Sequence, residues 1–175
     1  VRRRIGWALV AIGLAGLFYG LILLHSTSVT APGNNVNAPS SKKLSAKTID
    51  SYSVAPDLPK YIQIPAINVG RTRVIRLGLT EDNQIATPDN IYDAGRYNGS
   101  AKPGQTVAML IYGHVSSWTA DGIFYDLKEL QAGDKVTITR GDDRKFTYQV
   151  VASKVYPANK VDMNEVLSPV EPGKH

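Results

Sequence analysis

The feature that most constrains this chain is an apolar segment close to its N-terminus. Residues 5–24 contain no charged side chain, and three consecutive arginines, residues 2–4, stand just before them. An α-helix of about 20 residues spans about 30 Å, the thickness of the hydrocarbon layer of a bilayer. Basic flanks stay on the cytoplasmic side of a membrane. The sequence therefore predicts a cytoplasmic tail over residues 1–4 and a transmembrane helix over residues 5–24.

A cleaved signal peptide is the alternative interpretation of the same segment. The apolar part of a signal peptide is usually about 7 to 15 residues long, shorter than this run. Val29, Thr30 and Ala31 nevertheless form a weak cleavage site. We favour the retained anchor, which predicts a single-pass protein of the cell membrane with its C-terminal domain outside the cell.

The composition changes after the apolar segment. Residues 25–58 are rich in Ser, Thr, Asn, Pro, Lys and Ala. A segment of this kind buries too little apolar surface to offset the entropy lost on ordering. It is predicted to be a flexible extracytoplasmic stalk, and residues 59–175 are predicted to form the folded domain.

Charge and cysteine content exclude several classes of protein. The net charge is +5, but the basic residues are scattered and form no basic helix face, so we expect no binding to nucleic acid. The sequence contains no cysteine. Disulfides and cysteine-based zinc sites are therefore excluded for these residues, and no cofactor is predicted.

The folded part is predicted to be mostly β-structure with short helices. Residues 61–64 alternate in polarity and precede Pro65, which suits an edge strand with a bulge. Residues 106–112 form an apolar run typical of a strand that is buried on both faces. Ile123, Leu127 and Leu130 have the spacing of one helical face. Further strands are predicted over residues 74–79, 84–87, 135–140 and 145–156, the last two as a hairpin.

His114 is the residue best placed for chemistry. The sequence has three histidines, of which His25 adjoins the apolar segment and His175 is terminal, whereas His114 follows Gly113 at a predicted strand end. A catalytic triad with Ser116 or Ser117 and Asp121 is one alternative, although no nucleophile-elbow motif is present. A metal site on His114 and Asp121 would need a further ligand that the sequence does not nominate.

The order of several short motifs resembles the sortases, which are membrane-anchored cysteine transpeptidases of bacterial cell surfaces. The resemblance covers residues 59–175 and is greatest to class F. It rests on these segments, in this order: Ile62–Ile67, Leu77–Leu79, Ala94 and Gly95 with Tyr97, Pro103 and Gly104, Gly113 and His114, Gly122–Phe124, Leu127 with Leu130, and Gly133 and Asp134.

This resemblance implies a closed β-barrel fold and makes His114 the catalytic histidine. It further implies that the protein cleaves an LPxTG-like sorting signal through a thioester and transfers the cleaved protein to a cell-surface amine. The implied partners are secreted proteins with C-terminal sorting signals and an amine acceptor, such as a cell-wall precursor or a pilin lysine.

The sequence departs from the sortase pattern in one respect. Sortases carry the nucleophile in a Thr-Leu-x-Thr-Cys strand, which is followed by an arginine, and both would be expected beyond His175. As written, the chain is therefore predicted to be an inactive portion of a sortase. The alternative is a non-catalytic, sortase-like surface module that binds extended peptides.

Overall fold

The computed structural model describes residues 38–157. The predicted cytoplasmic tail and transmembrane helix, the stalk as far as residue 37, and residues 158–175 lie outside this range. Between residues 38 and 157, no helix is long and apolar enough to cross a membrane.

The described residues form a six-stranded sheet with little helix, in the order β4-β3-β2-β1-β5-β6. Neighbouring strands are antiparallel except for β2 and β3, which are parallel. A short helix, α1, precedes the sheet, and two 3₁₀ turns interrupt its connections. The elements are α1 Ala46–Asp50, β1 Pro59–Ile64, a 3₁₀ turn Pro65–Ile67, β2 Val69–Leu77, β3 Ala94–Tyr97, β4 Ile111–Gly113, a 3₁₀ turn Leu127–Glu129, β5 Lys135–Arg140 and β6 Lys145–Gln149.

The sheet is open, whereas the sequence predicted a closed β-barrel. Strands β4 and β6 form its two edges, and no pairing between them occurs in residues 38–157. A barrel closes only when hydrogen bonds join its two edges. The prediction of mostly β-structure is confirmed, and the prediction of closure is not met by the described residues.

Strand β1 lies inside the sheet, so its prediction as an edge strand was wrong. It pairs with β2 on one side and with β5 on the other. Proline is excluded from central strands because it cannot donate to the ladder. Here Pro59 is the first residue of the strand, and Pro65 begins the 3₁₀ turn after it, so no central donor is lost.

The core is made mainly by isoleucine and valine side chains from the central strands. Ile62 of β1 lies opposite Ile138 of β5, and both are buried. Phe124 and Leu130 cover this layer from the connection between β4 and β5. The buried cluster consists of Ile62, Ile64, Ile67, Val69, Val74, Ala94, Phe124, Leu130 and Ile138.

The segment predicted as a helix from Ile123 to Leu130 is a series of turns ending in 3₁₀ geometry. The backbone N–H groups of Ile123 and Phe124 donate to the carbonyls of Ile91 and His114, so tertiary contacts set the local conformation. Leu127 is 40% exposed, so it does not form part of a buried apolar face as the sequence predicted.

Two further strand predictions need correction in length. The hairpin of β5 and β6 is confirmed, but β6 ends at Gln149. Of the predicted strand over residues 106–112, only the end is a strand, and Val107 is 67% exposed. A strand is buried on both faces only when other parts of the chain pack over each face, and the exposed Val107 is not covered in this way. Within residues 38–157, β4 is also an edge strand, with β3 as its neighbour.

Residues assigned to the stalk already contact the folded domain before Pro59. Ser40 exchanges backbone hydrogen bonds with the segment around Asp89, and Ser45 caps helix α1 through its side chain. The Tyr52 hydroxyl donates to the Val74 carbonyl over 2.8 Å. Within the described residues, contacts with the folded domain therefore extend N-terminally from Pro59 as far as Ser40.

A buried ion pair joins β2 to the segment before β3. Arg73 donates to both carboxylate oxygens of Asp93, from Nε to Oδ1 at 2.9 Å and from Nη2 to Oδ2 at 2.5 Å. Asp93 is only 3% exposed. The Tyr52 ring covers the guanidinium, with 5.3 Å between Cζ and the ring centre. The hydrogen bond to this carboxylate raises the pKa of Arg73.

We expect Asp93→Asn to lower the free energy of unfolding by about 3 kcal/mol, because a partly buried guanidinium loses its counter-ion. The matched control is Asp143→Asn. Asp143 pairs with Lys60 at 3.5 Å, but its side chain is 78% exposed, so the loss should stay within about 0.5 kcal/mol. Denaturant unfolding of both variants measures the difference, and equal losses would contradict a stabilising role for the buried pair.

Candidate active site

His114 lies immediately after β4, as the sequence predicted. Gly113 is the last residue of the strand and faces the turn that follows. A Cβ at Gly113 would lie 3.0 Å from Ile123 Cγ2 and from the Phe124 ring. The strand end and the turn therefore pack closely, and His114 is held half-buried at the sheet edge.

The imidazole of His114 is oriented by a backbone carbonyl. Its Nε2 atom lies 2.8 Å from the carbonyl oxygen of Pro88, a fully buried residue. A carbonyl oxygen can only accept a hydrogen bond, so Nε2 carries the proton and donates. In the neutral ring the lone pair is then on Nδ1, the nitrogen able to accept a proton from a reacting group.

The chain after His114 folds back as a small hairpin over residues 115–122. Ser116 and Asp121 form an antiparallel bridge, and the Gly122 N–H donates to the Val115 carbonyl over 2.9 Å. The N–H of Phe124 donates to the carbonyl of His114 over 3.0 Å. At the tip of this hairpin, Trp118 is fully exposed.

The structure does not assemble the alternative serine triad. Ser117 Oγ donates to the Ala120 carbonyl over 3.1 Å and accepts from the Ala120 N–H, which uses the hydroxyl within its own turn. Ser116 and Asp121 face each other across the hairpin backbone. In a Ser-His triad a ring nitrogen accepts from the serine hydroxyl. Among the described residues, no hydrogen bond joins the hydroxyl of Ser116 or Ser117 to either ring nitrogen of His114.

A metal site on His114 and Asp121 is not supported either. Among residues 38–157, no group of three His, Asp or Glu side chains is close enough to hold a metal ion. The chemistry that we consider for the candidate site is therefore proton transfer by the imidazole of His114.

A groove lies beside the hairpin that follows His114. Its volume is about 440 Å³, and its walls come from residues 38–39 and from residues 116–119. Thr119 Oγ1 contacts Ser41 Oγ at 3.2 Å, which ties the N-terminal segment to the tip of the hairpin. The exposed indole of Trp118 forms part of the wall.

Sequence reasoning missed two residues that shape this edge of the sheet. The Tyr112 hydroxyl donates to the Ala86 carbonyl over 2.8 Å, and burial raises the pKa of this phenol, which therefore stays protonated as a donor near neutral pH. Arg96 is buried and donates to the carbonyls of Ala101 and Ser100. Burial lowers the pKa of Arg96. The only available sequence signal was that Tyr112 and His114 are two residues apart and so share a strand face.

The sortase-domain family model matches residues 62–174, which is more than half of the 175 residues. The chain belongs to the sortase family. The resemblance inferred from the order of the sequence motifs is therefore confirmed for the family. Sortases have a transpeptidase fold, and His114 lies within the matched region of this one.

Several solved sortase structures match this chain. Sortase E from Streptomyces avermitilis is 23% identical, with a TM-score of 0.46 over 67% of this chain and 70% of that chain. SrtA from Actinomyces oris is 18% identical, with a TM-score of 0.48 over 80% of this chain and 69% of that chain. Sortase C from Streptococcus pneumoniae, whose structure bears on pilin substrate specificity, is 22% identical, with a TM-score of 0.42 over 70% and 60% of the two chains.

The comparison with curated proteins gave no match for this sequence.

Gly122→Ala should displace the turn that holds His114. A Cβ at Gly122 would lie 2.2 Å from the His114 carbonyl oxygen and 2.6 Å from its carbonyl carbon, and backbone atoms cannot move aside cheaply. We expect a loss of about 2 kcal/mol or more in unfolding free energy. The control is Gly70→Ala in β2, where a Cβ meets no atom within 4 Å. Thermal unfolding tests the pair, and equal stability of both variants would refute the close approach.

Proposed function

We propose that this protein is a membrane-anchored sortase of the cysteine transpeptidase type and that His114 is its catalytic acid and base. The observation that carries the proposal is the position of His114. It lies directly after β4 within the matched sortase domain, with its Nε2 proton held by Pro88 and its Nδ1 lone pair available for proton transfer.

The proposed reaction has two steps. His114 first takes the proton of the cysteine thiol on Nδ1. The resulting thiolate attacks the Thr-Gly carbonyl of an LPxTG-like sorting signal, the carbon-nitrogen bond breaks, and His114 gives the Nδ1 proton to the departing amine. An amine then attacks the thioester, the thiolate leaves, and His114 removes a proton from the attacking nitrogen. Histidine suits both transfers because it changes charge near neutral pH.

The nucleophile in this proposal comes from outside the 175 residues, because these contain no cysteine. The described sheet offers a place for it. Strand β4 pairs with β3, and its other side has no partner strand within residues 38–157. A further strand added there would end near His114, so we assign this position to a cysteine-bearing strand, followed by an arginine that stabilises the oxyanion.

The same proposal covers the membrane anchor of the protein, the donor and acceptor of its reaction, and its sortase class. The uncharged run of residues 5–24 after three arginines supports a single-pass anchor with the domain outside the cell. The proposed donors are secreted proteins with C-terminal sorting signals, and the acceptor is an amine such as a cell-wall precursor or a pilin lysine. The order of motifs favours class F.

A second candidate is a sortase-like module that binds extended peptides without cleaving them. The absence of cysteine and the groove beside Trp118 favour it. Peptide affinity that persists after His114→Ala would support this function, because a binding groove does not need the imidazole for proton transfer.

An intact-mass measurement on the protein extracted from its native membrane separates the two candidates. The 175 residues have a mass of 19.0 kDa. A larger mass together with one maleimide-reactive thiol is expected for the transpeptidase. A mass of 19.0 kDa with no labelled thiol would overturn it and favour the peptide-binding module.

His114→Ala in the full-length protein should reduce cleavage of a fluorogenic LPxTG peptide by at least about 100-fold, the usual contribution of general acid-base catalysis. The control is His25→Ala, since His25 adjoins the predicted membrane segment. Unchanged cleavage by the His114 variant would remove this residue from the mechanism.

The 175-residue chain by itself is expected to cleave no LPxTG peptide, because a histidine without a thiolate lacks the covalent step. The assay is the same peptide cleavage, with the full-length protein as the positive control. Turnover by the chain alone would show that the chemistry does not depend on cysteine.

A further inference from the structure

Residues 86–88 orient the imidazole of His114 through a hydrogen bond, and they also accept a hydrogen bond from a side chain of strand β4. Two side chains from the end of this strand reach the same stretch of backbone: Tyr112 donates to the carbonyl of Ala86, and His114 donates to the carbonyl of Pro88, each over 2.8 Å. The two contacts therefore join the end of β4 and the residue that follows it to residues 86–88 at two acceptors that are two residues apart.

The Tyr112 ring is directed to its acceptor by packing across a glycine. Tyr112 lies opposite Gly95 on β3. A Cβ at Gly95 would lie 3.0 Å from Tyr112 Cε2, so the absence of a side chain leaves the ring room to lie across the neighbouring strand. The direction of the hydroxyl is thus set by the sheet and not by a flexible loop.

Residues 86–88 are tied down at a second point. The N–H of Ala86 donates to the carbonyl of Gly78 over 3.1 Å, and Ile85 bridges to Leu79 just after β2. These contacts and the Tyr112 hydrogen bond hold the stretch at its Ala86 end, and the Ser40 N–H, which donates to the Asp89 carbonyl over 2.7 Å, holds the chain just after Pro88. Pro88 has no N–H of its own, so its carbonyl is the group through which it contributes to the backbone hydrogen bonds here.

We propose that Tyr112 is a positioning residue, which holds residues 86–88 so that the Pro88 carbonyl keeps His114 in the tautomer with the proton on Nε2. This inference rests on the proposed function, in which Nδ1 then faces the reacting thiol. Tyr112 touches neither substrate nor thiol. It acts through the carbonyls of Ala86 and Pro88.

The test is NMR of the full chain in detergent micelles, with histidine ¹⁵N-labelled, at about pH 8.5, where an ordinary imidazole is neutral. The signals of His114 are assigned by their loss in His114→Gln. Protonated and unprotonated ring nitrogens have distinct ¹⁵N shifts, so the tautomer is read directly. The wild-type protein should show His114 protonated on Nε2. A proton on Nδ1, or averaged signals, would overturn the proposal without any variant.

Tyr112→Phe keeps the ring and removes the donor. We expect the His114 signals to move towards an average of the two tautomers. In the full-length protein, kcat should fall about fivefold at unchanged KM, in line with the loss of one hydrogen bond. The matched control is Tyr52→Phe, which also removes a hydroxyl that donates to a backbone carbonyl over 2.8 Å, to Val74. His114 signals unchanged in Tyr112→Phe would overturn the role of Tyr112.

Tyr112→p-aminophenylalanine restores an N–H donor at the same place. It should restore the wild-type tautomer signals and most of the activity, and failure to do so in a folded variant would count against the proposal. The tautomer measurement needs no substrate. If the protein proves to lack transpeptidase activity while the Tyr112→Phe shift is seen, the proposed function fails and the positioning by Tyr112 stands.

Discussion

The antiparallel pairing of β1 with β2 on one side and β5 on the other supports the rest of the domain. This pairing places Ile62 of β1 opposite Ile138 of β5, and both side chains are almost completely buried. Burying a side chain of this size contributes about 1.5 to 3 kcal/mol. The outer strands have less to bury, so they depend on this centre for their position.

The candidate site lies at the least supported edge of this sheet. Strand β4 has three residues and reaches the centre only through β3 and β2. His114 at its end is therefore held mainly by backbone contacts: its Nε2 to the Pro88 carbonyl, its own carbonyl to Phe124, and the close approach of Gly122. These backbone carbonyls and this glycine orient the imidazole, but the pattern of residues in the sequence does not show that they will do so.

The free side of β4 at this edge explains how the chain can belong to the sortase family while these residues contain no thiol. The matched sortase domain includes His114 and the sheet that carries it, whereas no thiol is present among these residues. In our proposal, the free side of β4 receives the cysteine strand, which brings nucleophile and base together by strand pairing. The imidazole is already oriented in the described residues, so the added strand would have to supply the thiol, and the arginine would follow it.

The sequence by itself determined the β-rich character of the domain, the hairpin of β5 and β6, the family, and the placement of His114 at a strand end. The family follows from the order of short motifs along residues 62–134. The other features depend on local spacing, such as alternating polarity, a turn after residue 140, or a glycine before a histidine. Only the tertiary structure decided that β1 is central, that Phe124 replaces Leu127 in the core, and that Tyr112 and Pro88 bear on His114. Most of these features arise between residues far apart in the chain. Residue spacing predicts a hairpin between consecutive strands, but it does not show which distant strands become neighbours or which distant carbonyl meets a side chain.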